Sequence, residues 1–90
     1  GPVKKPLPRR SPAEINLLIR DMSEVLGQTI AEKNRGWLFT IARAVEESTI
    51  YYALSWLKQA LLASVISGEE IKSACALFTW KLRQTGALVP

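Results

Sequence analysis

The most apolar stretch of the chain is residues 49–67, TIYYALSWLKQALLASVIS. At about 100° per residue, its apolar side chains form one stripe made of Ile50, Leu54, Leu57, Leu61 and Val65. Further apolar residues fall on roughly the opposite side, namely Tyr52, Leu62 and Ile66. A helix that is apolar nearly all round is normally buried by neighbours on several sides. We therefore expect the central helix of a small bundle, or a helix that also contacts a partner.

The same stretch has nearly the length of a membrane span, but Lys58 and Gln59 lie at its middle. A lysine at the centre of a bilayer costs roughly 3 kcal/mol. The stretch therefore predicts a core helix, and a membrane is not an expected partner.

The size and composition of the chain indicate one globular domain. It has 90 residues, of which 48% are hydrophobic, and its only cysteine is Cys75. A single cysteine excludes an internal disulfide framework and favours a reducing compartment. No segment has the charge and hydropathy pattern of a signal peptide. We expect an intracellular protein of the cytoplasm or nucleus.

The positive charge is concentrated at the beginning of the chain. Residues 1–10, GPVKKPLPRR, carry four basic side chains and no acidic one, whereas residues 11–90 carry eight of each sign. Proline and charge make residues 1–10 a predicted flexible basic arm. The pI of about 9.6 therefore belongs to the arm, and residues 11–90 form the folded domain. The arm is interpreted as a linker, a nucleic-acid contact or a targeting signal.

Helix-start and helix-stop signals predict an all-α fold, a small four-helix bundle. Ser11-Pro12-Ala13-Glu14 has the residues of a capping box, with proline where its missing N–H does no harm. Similar boxes begin at Thr29 and Ser67, and glycines at 27 and 86 are expected stops. The predicted helices span residues 12–26, 30–47, 49–66 and 68–85, and the third, apolar helix is central.

Two breaks inside the middle of the chain decide the helix count. Extending the apolar stripe of Leu38, Ile41 and Val45 past residue 47 lands on the wrong side of the next helix. A tight corner is therefore predicted at residues 47–49. Asn34-Arg35-Gly36 is interpreted either as a kink or as a loop, since glycine weakens a helix interior.

No group of residues predicts catalysis or metal binding. The chain has no histidine and one aspartate, and Cys75 lies on the apolar stripe of the last helix without a base to activate it. The glutamate pairs at 46–47 and 69–70 point about 100° apart and are interpreted as helix-start charges. We predict a protein that is not an enzyme and has no cofactor and no metal ligand.

Apolar residues that point away from the predicted core are the strongest functional signal. They predict a non-catalytic interaction domain that docks a protein partner or self-associates, because aromatic and aliphatic anchors are typical of interfaces. For the third helix, burial of its second side in the core is the competing interpretation. The predicted anchors are Trp80, Leu77, Tyr52, Leu62 and Ile66.

The alternative prediction is a helical domain that binds RNA or DNA. The basic arm would contact phosphates together with a basic strip on the second helix. The predicted residues are Lys4, Lys5, Arg9, Arg10, Lys33, Arg35 and Arg43. Neighbouring Glu32 and Glu46 dilute this strip, so protein docking is the favoured prediction.

Overall fold

The structure, a computed structural model, describes residues 10–88 and folds them into five α-helices. They are α1 (Pro12–Leu26), α2 (Gln28–Lys33), α3 (Arg35–Ala44), α4 (Glu47–Ser67) and α5 (Ala74–Gln84). Within residues 10–88 there is no β-strand, so the all-α prediction is confirmed. The predicted arm lies outside the described residues except for Arg10.

The start of α1 forms as predicted from its capping box. Ser11 has extended backbone angles, its Oγ accepts from the Glu14 N–H, and Glu14 Oε1 accepts from the Ser11 N–H. Gly27 follows the last helical residue with a φ of 93°, in the region that glycine adopts most readily. Local chemistry therefore sets both ends of this helix.

The predicted helix over residues 30–47 is divided, so the count of four helices is not confirmed. Asn34 separates α2 from α3, and its Nδ2 donates to the Ile30 carbonyl at 2.8 Å. The predicted capping box at Thr29 is wrong, because α2 begins at Gln28, directly after Gly27, without a side-chain cap. The region around Asn34 is therefore a kink and not a loop, because only one residue separates α2 from α3.

The predicted corner exists and lies slightly earlier than expected. Val45 is extended and ends α3, Glu46 follows, and α4 begins at Glu47. The Val45 side chain is nevertheless buried. Because the two non-helical residues Val45 and Glu46 reset the helical phase, the apolar stripes of α3 and α4 can both reach the core.

The predicted start of the last helix is wrong. Gly68 takes a left-handed conformation, with a φ of 77°, and caps the C-terminus of α4. Residues 68–73 form a connection, so Glu69 and Glu70 do not lie at a helix start. The N-cap of α5 is Ser73, whose Oγ accepts from the Ala76 N–H at 3.1 Å. The N-cap predicted at Ser67 is therefore formed by Ser73, six residues later.

The core is built from one face of each helix, with α1 against α2, α3 and α4, and with α4 also against α5. Its largest fully buried side chains are Phe78, Met22, Leu38, Ile41, Ile50, Leu57, Leu82 and Val45. A polar link joins α3 to α5, since Trp37 Nε1 donates to Thr79 Oγ1 at 2.9 Å. α4 therefore contacts α1 and α5, while its opposite side is not covered by another helix.

Candidate interaction surface

The outer half of α4 is not covered by the rest of the fold. Every buried side chain of α4 lies at or before Leu57, and none of residues 58–67 is buried. Leu61 is half-buried, whereas Val65 is 80% exposed. The sequence prediction that Val65 belongs to the buried stripe is therefore wrong.

The lengths of α1 and α4 explain this exposure. The start of α1, at Glu14, lies beside the start of α4, at Glu47, and Val25 lies beside residues 54–65. The two helices therefore run in a similar direction, but α1 ends at Leu26. α4 continues beyond that end, so its last turns have no α1 residues opposite them.

The step between the two helices is an open groove, which we call the α1–α4 groove, with a volume of about 680 Å³. Half of its ten lining residues are aliphatic, and the other half are polar or ionisable. The lining residues are Asp21, Glu24, Val25, Tyr51, Leu54, Ser55, Lys58, Leu61, Leu62 and Val65. Ile66, which is 79% exposed, follows Leu62 by one helical turn and borders the groove on α4.

A hydrogen bond closes one end of the α1–α4 groove. The Tyr51 hydroxyl of α4 donates to Asp21 Oδ2 of α1. This bond, together with burial and the negative charge of Asp21, raises the pKa of Tyr51 to about 12. The phenol therefore stays protonated at neutral pH and ties the two helices together beside the apolar walls.

Two charges of opposite sign lie on opposite walls of the groove. Glu24 is exposed on α1 and Lys58 is exposed on α4. The ion pair found within residues 10–88 joins Arg20 Nε to Asp21 Oδ1 at 3.6 Å and involves neither of them. Glu24 and Lys58 are therefore free to contact charges on a bound molecule.

A separate aromatic cluster lies where α4 meets α5. The rings of Trp56 and Trp80 have centroids 5.6 Å apart and are tilted by 40°. Lys81 Nζ lies 4.9 Å from the Trp56 ring centroid and 5.5 Å from that of Tyr52. The lysine thus already occupies ring surface that a cationic ligand would use.

Four of the five predicted anchors are divided between these two surfaces. Leu62 lines the α1–α4 groove and Ile66 borders it, whereas Tyr52 and Trp80 belong to the aromatic cluster. Tyr52 and Ile66 are about 21 Å apart along the helix axis, at 1.5 Å per residue. Leu77 is half-buried against the core, so it offers less surface than the other four.

The predicted basic residues gather around α3. Arg35 and Arg43 lie on either side of Phe39, with guanidinium carbons 5.7 and 5.6 Å from its ring centroid. Arg10 Nη1 donates to the Ala42 carbonyl at 2.8 Å, so it contacts the end of this helix. Lys33 is exposed at the end of α2, and Lys4, Lys5 and Arg9 lie outside the described residues.

The single thiol is inside the core. Cys75 is buried, as predicted from its place on the apolar stripe. Burial raises the pKa of the Cys75 thiol, and a hydrogen bond with Thr79 partly offsets this effect. Among residues 10–88, no three His, Cys, Asp or Glu side chains are grouped closely enough to hold a metal ion. In the same range no helix is both long and apolar enough to cross a membrane.

Sequence reasoning missed several residues of the α1–α4 groove, namely Val25, Glu24, Lys58 and Val65. The missing information was the pairing of α1 with α4, because helical periodicity identifies a face and not its neighbour. One signal was present, since the predicted third helix was longer than the first. A longer helix leaves some turns without a partner when the two helices start side by side.

The chain was compared with protein-family models, curated proteins and solved structures. No match was found. A function for this chain therefore has to follow from its own surfaces.

Proposed function

We propose that this chain is a non-catalytic helical interaction domain that docks a partner helix in the α1–α4 groove. The observation that supports this most strongly is the exposure of Leu62 and Val65, at 56% and 80%, on a helix whose earlier stripe residues are buried. Apolar side chains side by side on a groove wall are typical of protein interaction sites. The anchors are Leu62 and Val65, with Ile66 at the edge.

The shape of the groove favours an amphipathic helix as the occupant. A helix that docks in a groove presents apolar anchors one turn apart. The α4 wall of the groove has apolar side chains at the same interval, since Leu61 and Val65 are one turn apart. Glu24 and Lys58 are exposed and would lie at the polar rim of the complex, as in known interfaces. The aromatic cluster is assigned a different role, because Lys81 lies over the Tyr52 and Trp56 rings and the packing of Trp56 against Trp80 joins α4 to α5.

The magnitude of the docking energy can be derived from the exposed apolar surface. Burying a full leucine or valine side chain contributes about 1.5–3 kcal/mol. Because Leu62 and Val65 are only partly covered now, their complete burial would contribute about 2 kcal/mol together. Replacing both by serine should weaken docking roughly 30-fold.

A displayed library of amphipathic helical peptides provides the test, since it does not require a known partner. Peptides selected against the unmodified chain should bind the double variant Leu62→Ser, Val65→Ser far more weakly. Leu17→Ser is the matched control, because Leu17 is an exposed leucine of α1 that does not line the groove. Binding that is equal for the groove variant and for the control would refute the proposal.

A second candidate function is nucleic-acid binding, and the arrangement around α3 supports it. Arg10 is distant in sequence but contacts Ala42, the residue before Arg43. Phe39 lies between Arg35 and Arg43 on α3, and Lys33 is exposed at the end of α2. Lys4, Lys5 and Arg9 would extend this set of basic residues. Phosphate contacts by such residues weaken steeply with salt.

The nucleic-acid candidate predicts oligonucleotide binding with a strong dependence on salt concentration. Fluorescence anisotropy of a labelled single-stranded RNA should show this dependence. The double variant Arg35→Ala, Arg43→Ala should reduce its slope by about 1 to 2 in a plot of log affinity against log salt. An affinity that does not change with salt would contradict this function.

A further inference from the structure

We infer that the occupant of the α1–α4 groove is a second copy of this chain, related to the first by a twofold axis. This inference rests on the proposed docking function and specifies its partner. In the resulting dimer, Leu62 and Val65 of each copy enter the groove of the other. Glu24 of each copy then faces Lys58 of its neighbour, so each contact occurs twice.

The two walls of the α1–α4 groove carry charges of opposite sign, which favours a second copy as the occupant. A twofold axis that runs along the groove places the α1 wall of one copy against the α4 wall of the other, and each such contact occurs twice. The α1 wall of the groove carries Asp21 and Glu24, and the α4 wall carries Lys58. Asp21 is already bonded to Tyr51 and lies near Arg20, whereas neither Glu24 nor Lys58 has an ion-pair partner among the described residues. Such a surface is complementary to itself, whereas a groove with charges of one sign would repel its own copy.

The composition of the outer half of α4 supports the same occupant. Lys58 is the only charged residue in the segment 58–67, and charged residues are depleted in the centres of interfaces. Residues 58–67 form part of one wall of the groove. The same residues of a second copy form an apolar helix of the kind that such a groove accepts. Residues 11–90 have equal numbers of positive and negative side chains, so this part carries no net formal charge and the +4 of the full chain comes from residues 1–10.

Charge reversal tests the twofold arrangement in the full chain by sedimentation velocity across concentration. Glu24→Lys and Lys58→Glu should each raise the dimer dissociation constant about tenfold, because attraction becomes repulsion at two symmetry-related positions. Glu32→Lys is the matched control, since Glu32 is an exposed glutamate outside the groove, and it should leave the dissociation constant unchanged. Thermal unfolding by circular dichroism checks that each variant is folded.

Mixing the two single variants provides the decisive measurement. At positions 24 and 58, one variant then has two positive charges and the other has two negative charges, while Asp21 stays bonded to Tyr51 in both. The two variants are therefore complementary at these positions across a twofold axis. The equimolar mixture should form a heterodimer with a dissociation constant within about threefold of that of the unmodified dimer. The double variant Glu24→Lys, Lys58→Glu should recover self-association to the same degree. A charge pair within one chain cannot produce recovery on mixing.

Three results would overturn the inference. A chain that remains monomeric up to about 1 mM excludes the second copy as occupant, and an unmodified dimer that neither single variant weakens excludes the Glu24–Lys58 contact. Failure of the mixture to associate excludes the twofold pairing. In each case the selected helical peptides still test the proposed docking function, because they bind a monomer as well.

Discussion

Tyr51 offers a direct test of the link that holds α1 beside α4. The substitution Tyr51→Phe removes only the hydroxyl that donates to Asp21. The ring that lines the α1–α4 groove is retained, so apolar packing is nearly unchanged. The variant therefore measures the hydrogen bond and little else.

The expected loss can be derived from the environment of Asp21. Hydrogen bonds to charged groups contribute about 1.5–3 kcal/mol. The Asp21 side chain is 24% exposed and has Arg20 Nε at 3.6 Å, so its carboxylate keeps some solvation and one favourable charge after the substitution. We expect a free energy of unfolding lower by about 1.5 kcal/mol, at the low end of that range. For a domain of this size, that corresponds to a melting temperature lower by about 6–12 °C.

The pH dependence gives the same hydrogen bond a second signature. The pKa of Tyr51 is raised from 10.0 to about 12 in the folded chain, chiefly by the bond to Asp21. A group whose pKa is higher in the folded state stabilises the fold fully below the unfolded pKa. That stabilisation is lost as the pH rises through the folded pKa. The difference in stability between the unmodified chain and Tyr51→Phe should therefore shrink between pH 10 and about 12.

Urea denaturation followed by far-UV circular dichroism measures both effects. The other titrating groups are shared by the two proteins, so they cancel when the two free energies of unfolding are subtracted at each pH. A stability difference below about 0.5 kcal/mol at neutral pH would refute the magnitude. A difference that stays constant or grows towards pH 12 would refute the assignment of Tyr51 as the titrating donor.

Two further predictions concern contacts outside the groove. Thr79→Val removes the acceptor of the Trp37 indole N–H and should lower the free energy of unfolding by about 1 kcal/mol in urea denaturation; an unchanged value would mean that water replaces Thr79 at no cost. Ser73→Ala removes the cap on the Ala76 N–H and should cost about 1 kcal/mol, whereas Ser67→Ala should cost less than half of that. Equal melting temperatures for the two serine variants would contradict the placement of the helix start at residue 74.

Local chemistry made parts of the fold predictable from the sequence. Ser11 and Glu14 stand in the order of a capping box just before an apolar stripe, and no long-range contact is needed to form it. The corner before α4 was predicted from phase, because a straight helix cannot put Val45 and Ile50 on one side. Both predictions depend only on neighbours within a few turns.

The wrong helix start at Ser67 shows where local signals compete. Ser67 is followed by Gly68, and glycine is preferred after the end of a helix while serine is preferred before the start of one. In the structure the glycine ends α4, and Ser67 Oγ accepts only the Glu69 N–H, two residues on. The actual cap, Ser73, has no glutamate three residues later and therefore gave a weaker signal.

The groove was beyond prediction for a different reason. The periodicity of residues 49–67 correctly placed Ile50, Leu54 and Leu57 in the core, and it predicted the same position for Val65. Whether a stripe residue is buried depends on how far the neighbouring helix extends, and α1 ends before Val65. The outward direction of Leu62 and Ile66 was predictable from helical periodicity. That they lie on a different surface from Tyr52 and Trp80 was not, because it depends on which helices pack against α4.

The burial of Cys75 has a practical consequence for studying motion in this chain. Reaction with a thiol reagent requires the thiolate, and burial both shields the Cys75 sulfur and raises its pKa. Labelling therefore requires a local opening around Cys75, in the first turn of α5. Since no second cysteine exists in the sequence, the labelling rate reports that one opening event, and the unmodified chain can serve as its own probe of local unfolding.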